Sequence, residues 1–79
     1  MSQFILYYQP DCHLCDEAES LLHSAGLSER CQKVDIESDL ELLKRYGIHV
    51  PVLQHADSRQ ELFWPFNEPD LRAFFETEE

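Results

Sequence analysis

Two cysteines three positions apart, Cys12 and Cys15, are the residues of this chain best suited to chemistry. Thiol–disulfide exchange needs one thiolate that attacks a disulfide and a second thiol close enough to displace the mixed disulfide that results. At the start of a helix, this spacing brings the two side chains together on one face. The free N–H groups and the dipole of that helix end stabilise a thiolate. We therefore expect Cys12 to be the nucleophile and the less exposed Cys15 to be the resolving thiol.

The residue that follows the first cysteine, His13, is expected to act on the same sulfur. As an imidazolium it would lower the pKa of Cys12 and so favour the thiolate. Carboxylates in the same turns oppose this effect, because negative charge raises the pKa of a thiol. They are Asp11, Asp16, Glu17 and Glu19. We therefore expect a moderate lowering of the Cys12 pKa, and we count His13 with the two cysteines as a catalytic residue.

Two other interpretations of the cysteine pair remain open, an inert position in the core and half of a zinc site. Zinc would need two further ligands, and the remaining Cys and His residues provide no second closely spaced pair. We therefore assign no metal ligand. Cys31, at the start of a predicted strand, is expected to be a half-buried structural residue. His23, His49 and His55 are expected at the surface or at a sheet edge.

Length and charge restrict what the chain can be. Its 79 residues suffice for a single domain, 1–79. With 16 acidic and 6 basic residues, the formal net charge of −10 disfavours binding to a nucleic acid or an anionic membrane. The N-terminal apolar run is too short for a signal peptide or a membrane span. The odd count of 3 cysteines fits a reducing compartment. We expect a cytoplasmic monomer.

The hydrophobic pattern predicts the elements that position the cysteines. Residues 3–8 predict a buried strand, and the break at 9–11 predicts the loop that delivers Cys12. Between Asp11 and Ala25, apolar residues at helical spacing predict a helix that Gly26 closes. These residues are Leu14, Ala18, Leu21, Leu22 and Ala25.

The rest of the chain predicts two more helices and three more strands. Residues 31–36 predict a strand, and the capping-box pair Ser38 and Glu41 predicts a helix that runs until Gly47. Residues 51–55 and 60–64 flank a turn and predict a hairpin, while a last helix begins at 67–70. The order β-α-β-α-β-β-α predicts an α/β fold with a mixed four-stranded sheet flanked by helices.

Two stretches resemble a known family. Residues 12–19 (CHLCDEAE) and 46–53 (YGIHVPVL) are similar to the small bacterial glutaredoxin-like proteins of the thioredoxin superfamily that carry a CHLC active site. The element order and residues 64–66 (WPF) extend the resemblance over essentially the whole chain. It implies a thioredoxin-like (glutaredoxin-like) fold and a thiol–disulfide oxidoreductase that acts on protein or low-molecular-weight disulfides. It also implies a cis Pro51 beside the active-site cysteines, with Val50 and Pro51 bordering the substrate.

The chain departs from true glutaredoxins where those proteins hold glutathione. The basic residue before the active-site cysteine and the Gly-Gly pair before the last helix are replaced by residues 9–11 and 64–67. Glu68 and Asp70 at the start of that helix would repel a glutathione carboxylate. We therefore expect no tightly held cofactor, with glutathione at most a weakly bound reductant. The alternative is a non-catalytic binding module of the same fold, with or without a metal, that docks a partner through the aromatic edge at 64–66.

Overall fold

A computed structural model describes residues 3–76 of the chain. In order, the elements are β1 (Phe4–Tyr8), α1 (His13–Ser24), a 3₁₀ turn (Ser28–Arg30), β2 (Cys31–Asp35), a second 3₁₀ turn (Ile36–Ser38), α2 (Leu40–Tyr46), β3 (Val52–His55), β4 (Glu61–Phe63) and α3 (Glu68–Glu76). The predicted order of strands and α-helices is confirmed, whereas the two 3₁₀ turns were not predicted. No helix in this part of the chain has the length and apolar character that crossing a membrane requires.

The four strands form one mixed sheet, as predicted, and their order in it is β2-β1-β3-β4. β1 pairs in parallel with β2, and both β1–β3 and β3–β4 are antiparallel. Tyr7, near the end of β1, pairs with Val52, the first residue of β3. The segment that follows β1 and the segment that precedes β3 therefore lie at the same edge of the sheet. We call it the active edge, because it carries Cys12 and Pro51, which the sequence analysis expects in the active site.

The main core fixes α1 and α3 on one face of the sheet. Phe4, at the start of β1, is fully buried, and its ring stacks on that of Phe75 with centroids 3.8 Å apart. The buried members of the main core are Phe4, Leu6, Ala18, Leu22, Leu53, Phe66, Leu71 and Phe75. Because α1 contributes Ala18 and Leu22, burial of their apolar surface holds the helix, and hence its N-terminus, against the sheet.

A second cluster, on the opposite face, anchors α2 through polar contacts as well as packing. The rings of Tyr7 and Tyr46 stack with centroids 4.5 Å apart. The Tyr7 hydroxyl donates to Gln54 Oε1 at 2.9 Å, and the Tyr46 hydroxyl donates to Glu61 Oε2. Burial, followed by the hydrogen bond to Glu61, raises the pKa of Tyr46 to about 12. Tyr46 therefore stays protonated and keeps donating, which fixes the end of α2 just before residues 47–51.

The start of α2 differs from the prediction. Its N-cap is Asp39, whose Oδ1 accepts the N–H of Glu41 at 2.8 Å. Ser38 was expected in that place, but its hydroxyl donates to the carbonyl oxygen of Asp35 at 2.6 Å. The unpredicted 3₁₀ turn causes the difference, because it takes up residues 36–38 and the α-helix begins later.

Two side chains are buried differently from the prediction. His55 was expected at the surface or an edge, yet it is only 3% exposed, and its Nε2 hydrogen-bonds the carbonyl oxygen of Phe74 at 2.9 Å. Leu14 was expected on the inward face of α1, yet it is 44% exposed. Cys15 occupies that inward face instead, together with Ala18 and Leu22, which were expected there.

Gly26 ends α1 as predicted. Its φ of 75° lies in the left-handed region, which costs an L side chain more than it costs glycine. The N–H of Gly26 donates to the His23 carbonyl at 3.0 Å, and the N–H of Leu27 donates to the Leu22 carbonyl at 2.9 Å. This pair of bonds is the Schellman motif, and it satisfies two carbonyls at the helix end.

The same substitution in the core and at the surface tests this packing. Leu6→Ala should lower the free energy of unfolding by about 2–5 kcal/mol, because Leu6 is 1% exposed and its loss leaves a cavity. Leu40→Ala, at a residue that is 74% exposed, should change it by no more than about 0.5 kcal/mol. Urea denaturation measures both. Equal losses in the two variants would contradict the described core.

Candidate active site

A short turn converts the end of β1 into the start of α1. Asp11 has a φ of 56°, in the left-handed region that aspartate adopts more readily than most residues. Cys12 returns to extended backbone, with φ −109° and ψ 107°, and is the N-cap of the helix that begins at His13. The chain therefore places the Cys12 side chain at the N-terminal end of α1, where helix N–H groups have no intrahelical acceptor.

The two predicted cysteines meet at this helix end. Cys12 and Cys15 form a disulfide, with their Cα atoms 5.2 Å apart. The Sγ atom of Cys12 accepts a hydrogen bond from the backbone N–H of Cys15 at 3.1 Å. Cys12 is half-buried, whereas Cys15 is 1% exposed. The Cys12 sulfur therefore belongs to the more exposed of the two cysteines, and the same N–H would stabilise negative charge on it after reduction.

His13 makes its contact with a carboxylate. Its Nε2 lies 2.8 Å from Glu17 Oε2, one turn along α1, and the His13 side chain is 86% exposed. A protonated His13 in this pair has a negative charge next to it, so less of its field acts on Cys12. The site therefore holds an imidazole on the residue next to Cys12, and any positive charge on it is shared with Glu17.

Val50 and Pro51 lie at the active edge, on the segment between α2 and β3. The Val50–Pro51 peptide bond is cis, as the resemblance implied, and Pro51 is buried. The carbonyl of Pro51 accepts the N–H of Trp64 at 3.3 Å, and the N–H of Val50 donates to the Tyr46 carbonyl at 3.1 Å. Of the two backbone polar groups of Val50, the carbonyl is the one without a backbone partner among residues 3–76. A second cis bond, Trp64–Pro65, was not predicted.

The start of α3 is closed by its own side chains. The N–H of Asn67 donates to Asp70 Oδ2 at 3.0 Å, and the N–H of Asp70 donates to Asn67 Oδ1 at 2.9 Å. Glu68 pairs with Arg72 at 2.6 Å. An anion is favoured at a helix N-terminus whose N–H groups are free, and here Asp70 already occupies that position. This end of α3 therefore offers little to a substrate carboxylate.

Cys31, the third cysteine, lies apart from the pair, in a cleft of about 480 Å³ between α1 and β2. It is half-buried, as predicted, and its thiol donates to the Leu27 carbonyl at 3.7 Å. Burial raises the pKa of Cys31 to about 11, so the thiol is neutral at physiological pH. Among residues 3–76, no group of three or more His, Cys, Asp or Glu side chains is arranged to hold a metal ion.

Comparisons with known proteins agree with this geometry. The family model described as Glutaredoxin-like domain (DUF836) matches residues 3–76. The X-ray structure of the Northeast Structural Genomics target protein XcR50 from X. campestris is 39% identical to this chain, with a TM-score of 0.84, and the match covers 96% of this chain and 99% of that one. The solution structure of XcR50 is also 39% identical, with a TM-score of 0.84 and coverages of 100% and 97%. No curated protein matches. The thioredoxin-like fold is thereby confirmed.

The raised pKa of Cys31 predicts how its reactivity depends on pH. In the oxidised protein, where Cys12 and Cys15 are bonded, Cys31 is the one free thiol. A thiol with a pKa of about 11 is mostly protonated at pH 8. The rate of its alkylation by iodoacetamide should therefore rise about tenfold per pH unit between pH 8 and 10.

The oxidised protein unfolded in urea is the control for this measurement. Unfolding removes the burial that raises the Cys31 pKa, so the alkylation rate should level off above about pH 8.5. Mass spectrometry of quenched samples follows the reaction. A rate that levels off near pH 8.5 in the folded protein as well would contradict the described burial.

Proposed function

The chain belongs to the glutaredoxin-like domain family (DUF836), and we propose that it is a thiol–disulfide oxidoreductase that acts through Cys12 and Cys15. The observation that carries the proposal is the position of Cys12. Its half-buried sulfur accepts the Cys15 N–H at the start of α1, and the buried Cys15 sulfur lies within bonding distance. This arrangement stabilises a thiolate on the outer cysteine and keeps the second thiol ready to react.

In the reaction cycle the dithiol form of the protein reduces the substrate. The Cys12 thiolate attacks one sulfur of the substrate disulfide, so an S–S bond forms to Cys12 and the substrate's other sulfur leaves as a thiolate. Cys15, after losing its proton, attacks the Cys12 sulfur and releases the second substrate thiolate. Both leaving thiolates take up protons. Two electrons pass to the substrate, and the protein is left with the Cys12–Cys15 disulfide.

The neighbouring residues have supporting roles in this proposal. His13, when protonated, lowers the Cys12 pKa by an amount that Glu17 reduces. The Val50 carbonyl accepts an N–H from an extended substrate, in the manner of an added strand, and Pro51 borders the same place. No tightly held cofactor is needed, because the two thiols carry the electrons. The closed start of α3 supports weak binding of glutathione at most.

We also propose that the protein works as a monomer in a reducing compartment, the cytoplasm. The free thiol of Cys31 supports this, because an unpaired cysteine is more common in reducing surroundings. A disulfide-containing protein or a small disulfide is the proposed substrate. The net charge of −10 supports the exclusion of nucleic acids and anionic membranes as partners.

The binding-module alternative receives less support. Its docking edge at residues 64–66 is largely used within the protein, because Phe66 is 5% exposed and belongs to the main core. The ring of Trp64 packs edge-on against Phe66 with centroids 4.9 Å apart. An interface residue of this kind would have to leave the core before it met a partner.

Mixed-disulfide trapping tests the proposed cycle. In the Cys15→Ser variant, Cys12 can attack but nothing resolves the product, so a stable 1:1 adduct with a disulfide substrate such as oxidised insulin should accumulate. Non-reducing electrophoresis and mass spectrometry detect the adduct.

The matched variant Cys12→Ser keeps Cys15 but lacks the proposed nucleophile. Because Cys15 is 1% exposed, this variant should form no adduct and should lose insulin-reducing activity by at least about 100-fold. Cys31→Ser should behave as wild type. Undiminished activity in Cys12→Ser would refute the assignment of the nucleophile.

The pair of His13 and Glu17 predicts opposite shifts in the Cys12 pKa. In a Cys15→Ser background, His13→Gln should raise that pKa, because a positive charge is lost. Glu17→Gln should lower it, because a negative charge is lost and the imidazolium is no longer paired. Thiolate absorbance measured against pH gives both values. If neither variant moves the Cys12 pKa, His13 has no role in activating the nucleophile.

A further inference from the structure

The active edge carries apolar surface that the protein itself leaves uncovered. Ile48, three residues before cis Pro51, is 91% exposed. Phe63, which pairs with Val52 across β3 and β4, is 43% exposed, and its ring meets the His49 ring edge-on at 5.5 Å. Leu14, between the two cysteines, is 44% exposed. We call Leu14, Ile48 and Phe63, together with the His49 ring that contacts Phe63, the apolar patch.

Apart from the His13 imidazole, which contacts Glu17, the charged side chains of the segments that form this edge are all acidic. Residues 9–17, 47–51 and 63–70 contain five carboxylates and no Lys or Arg. Asp16 and Glu17 are exposed on the first turns of α1, next to the cysteine pair. Of the basic residues, Lys33 is paired with Glu19 and Arg72 with Glu68. Lys44 and Arg45 lie further back, on the last turn of α2.

We propose that the preferred substrate is a disulfide in an extended, basic protein segment, which places an apolar side chain on the apolar patch and its Lys or Arg side chains against Asp16 and Glu17. This inference rests on the proposed function and names the substrate class of the same site. Charge complementarity selects this occupant. A second copy of the chain would bring the same carboxylates against themselves, and glutathione disulfide is itself anionic.

The backbone favours an extended segment. The carbonyl of Val50 points to no partner among the described residues, while the N–H of Val50 is taken by Tyr46. A substrate N–H that donates to this carbonyl would align the substrate beside the segment that enters β3. The attacked disulfide is then held at Cys12 by contacts on both of its sides, the carboxylates of α1 and the apolar residues before Pro51.

Two peptides with the same disulfide and the same apolar residues, one flanked by Lys and the other by Glu, test the proposal. The reduced wild-type protein is mixed with each peptide, and the second-order rate constant is measured in a single turnover. Each constant is divided by that of the same peptide with dithiothreitol, which removes differences in the reactivity of the peptide disulfide. The Lys peptide should react about tenfold faster at low salt, and the ratio should approach one near 1 M salt, where charges are screened.

Site-directed variants show which residues cause the preference for the Lys peptide. Asp16→Asn/Glu17→Gln should lower the ratio of Lys to Glu peptide several-fold. A changed Cys12 pKa does not affect the ratio, because both peptides meet the same thiolate. Glu29→Gln/Asp57→Asn removes the same charge at the opposite edge of the sheet and should keep the wild-type ratio. Ile48→Ser should slow both peptides, whereas Leu40→Ser, at another exposed position, should slow neither.

The outcomes separate this proposal from the one on which it rests. Equal normalised rates for the two peptides, or a preference for the Glu peptide, would overturn the substrate class and leave the thiol–disulfide activity standing. If Glu29→Gln/Asp57→Asn lowers the ratio of Lys to Glu peptide as much as Asp16→Asn/Glu17→Gln does, the preference comes from the net charge of the protein. That result would overturn the role of Asp16 and Glu17. Reaction with neither peptide would overturn both proposals.

Discussion

The hydrogen bond from the Cys15 N–H to the Cys12 sulfur is the contact on which the proposed chemistry of this protein depends. It puts a cysteine where helices usually carry Ser, Thr, Asp or Asn, so the sulfur takes the part of a capping oxygen. A neutral sulfur is a weak acceptor, whereas a thiolate is a strong one, and the helix end therefore favours the deprotonated form. The same geometry makes the two cysteines unequal, because Cys12 is half-buried and Cys15 is buried.

The rest of the fold holds that helix end at the active edge. Ala18 and Leu22 fix α1 on the sheet, and Gly26 ends the helix with a satisfied Schellman motif. On the opposite face, Tyr46 ties the end of α2 to Glu61 on β4. The antiparallel pairing of β1 with β3 then brings the segment before Pro51 to the edge that bears Cys12. Side chains other than the two cysteines thus hold α1 and α2 in place, and Leu14, Ile48 and Phe63 at the edge remain exposed.

The cysteine pair and the order of elements were readable from the sequence, because both depend on local spacing. The pattern Cys12 to Cys15 and the Gly26 ending each follow from residues within one or two helical turns. The sequence was a poorer guide to the environment of a side chain when that environment depends on a residue far away in the chain. His55 is buried because α3 supplies the Phe74 carbonyl, a partner 19 positions away. The pairing of His13 with Glu17 had an i to i+4 signal that was read only as opposing charge.

A similar limit applies at the start of α2 and at the second cis bond. Ser38 and Asp39 are both good N-caps, and the choice between them depends on the preceding 3₁₀ turn rather than on either residue. Residue type alone leaves an X-Pro bond free to be cis or trans, so Trp64–Pro65 carried no local signal. The cis Val50–Pro51 bond was reached through family resemblance, since spacing and composition say nothing about it.

An NMR titration of the reduced protein tests the central claim most directly. It follows the Cβ signal of Cys12 and the amide signal of Cys15 in one experiment. We predict that Cys12 titrates clearly below the free-thiol value of about 8.5, and that the Cys15 amide proton shifts with the same midpoint as its acceptor gains charge. A Cys12 midpoint at or above 8.5, with a Cys15 amide that does not respond, would contradict the account.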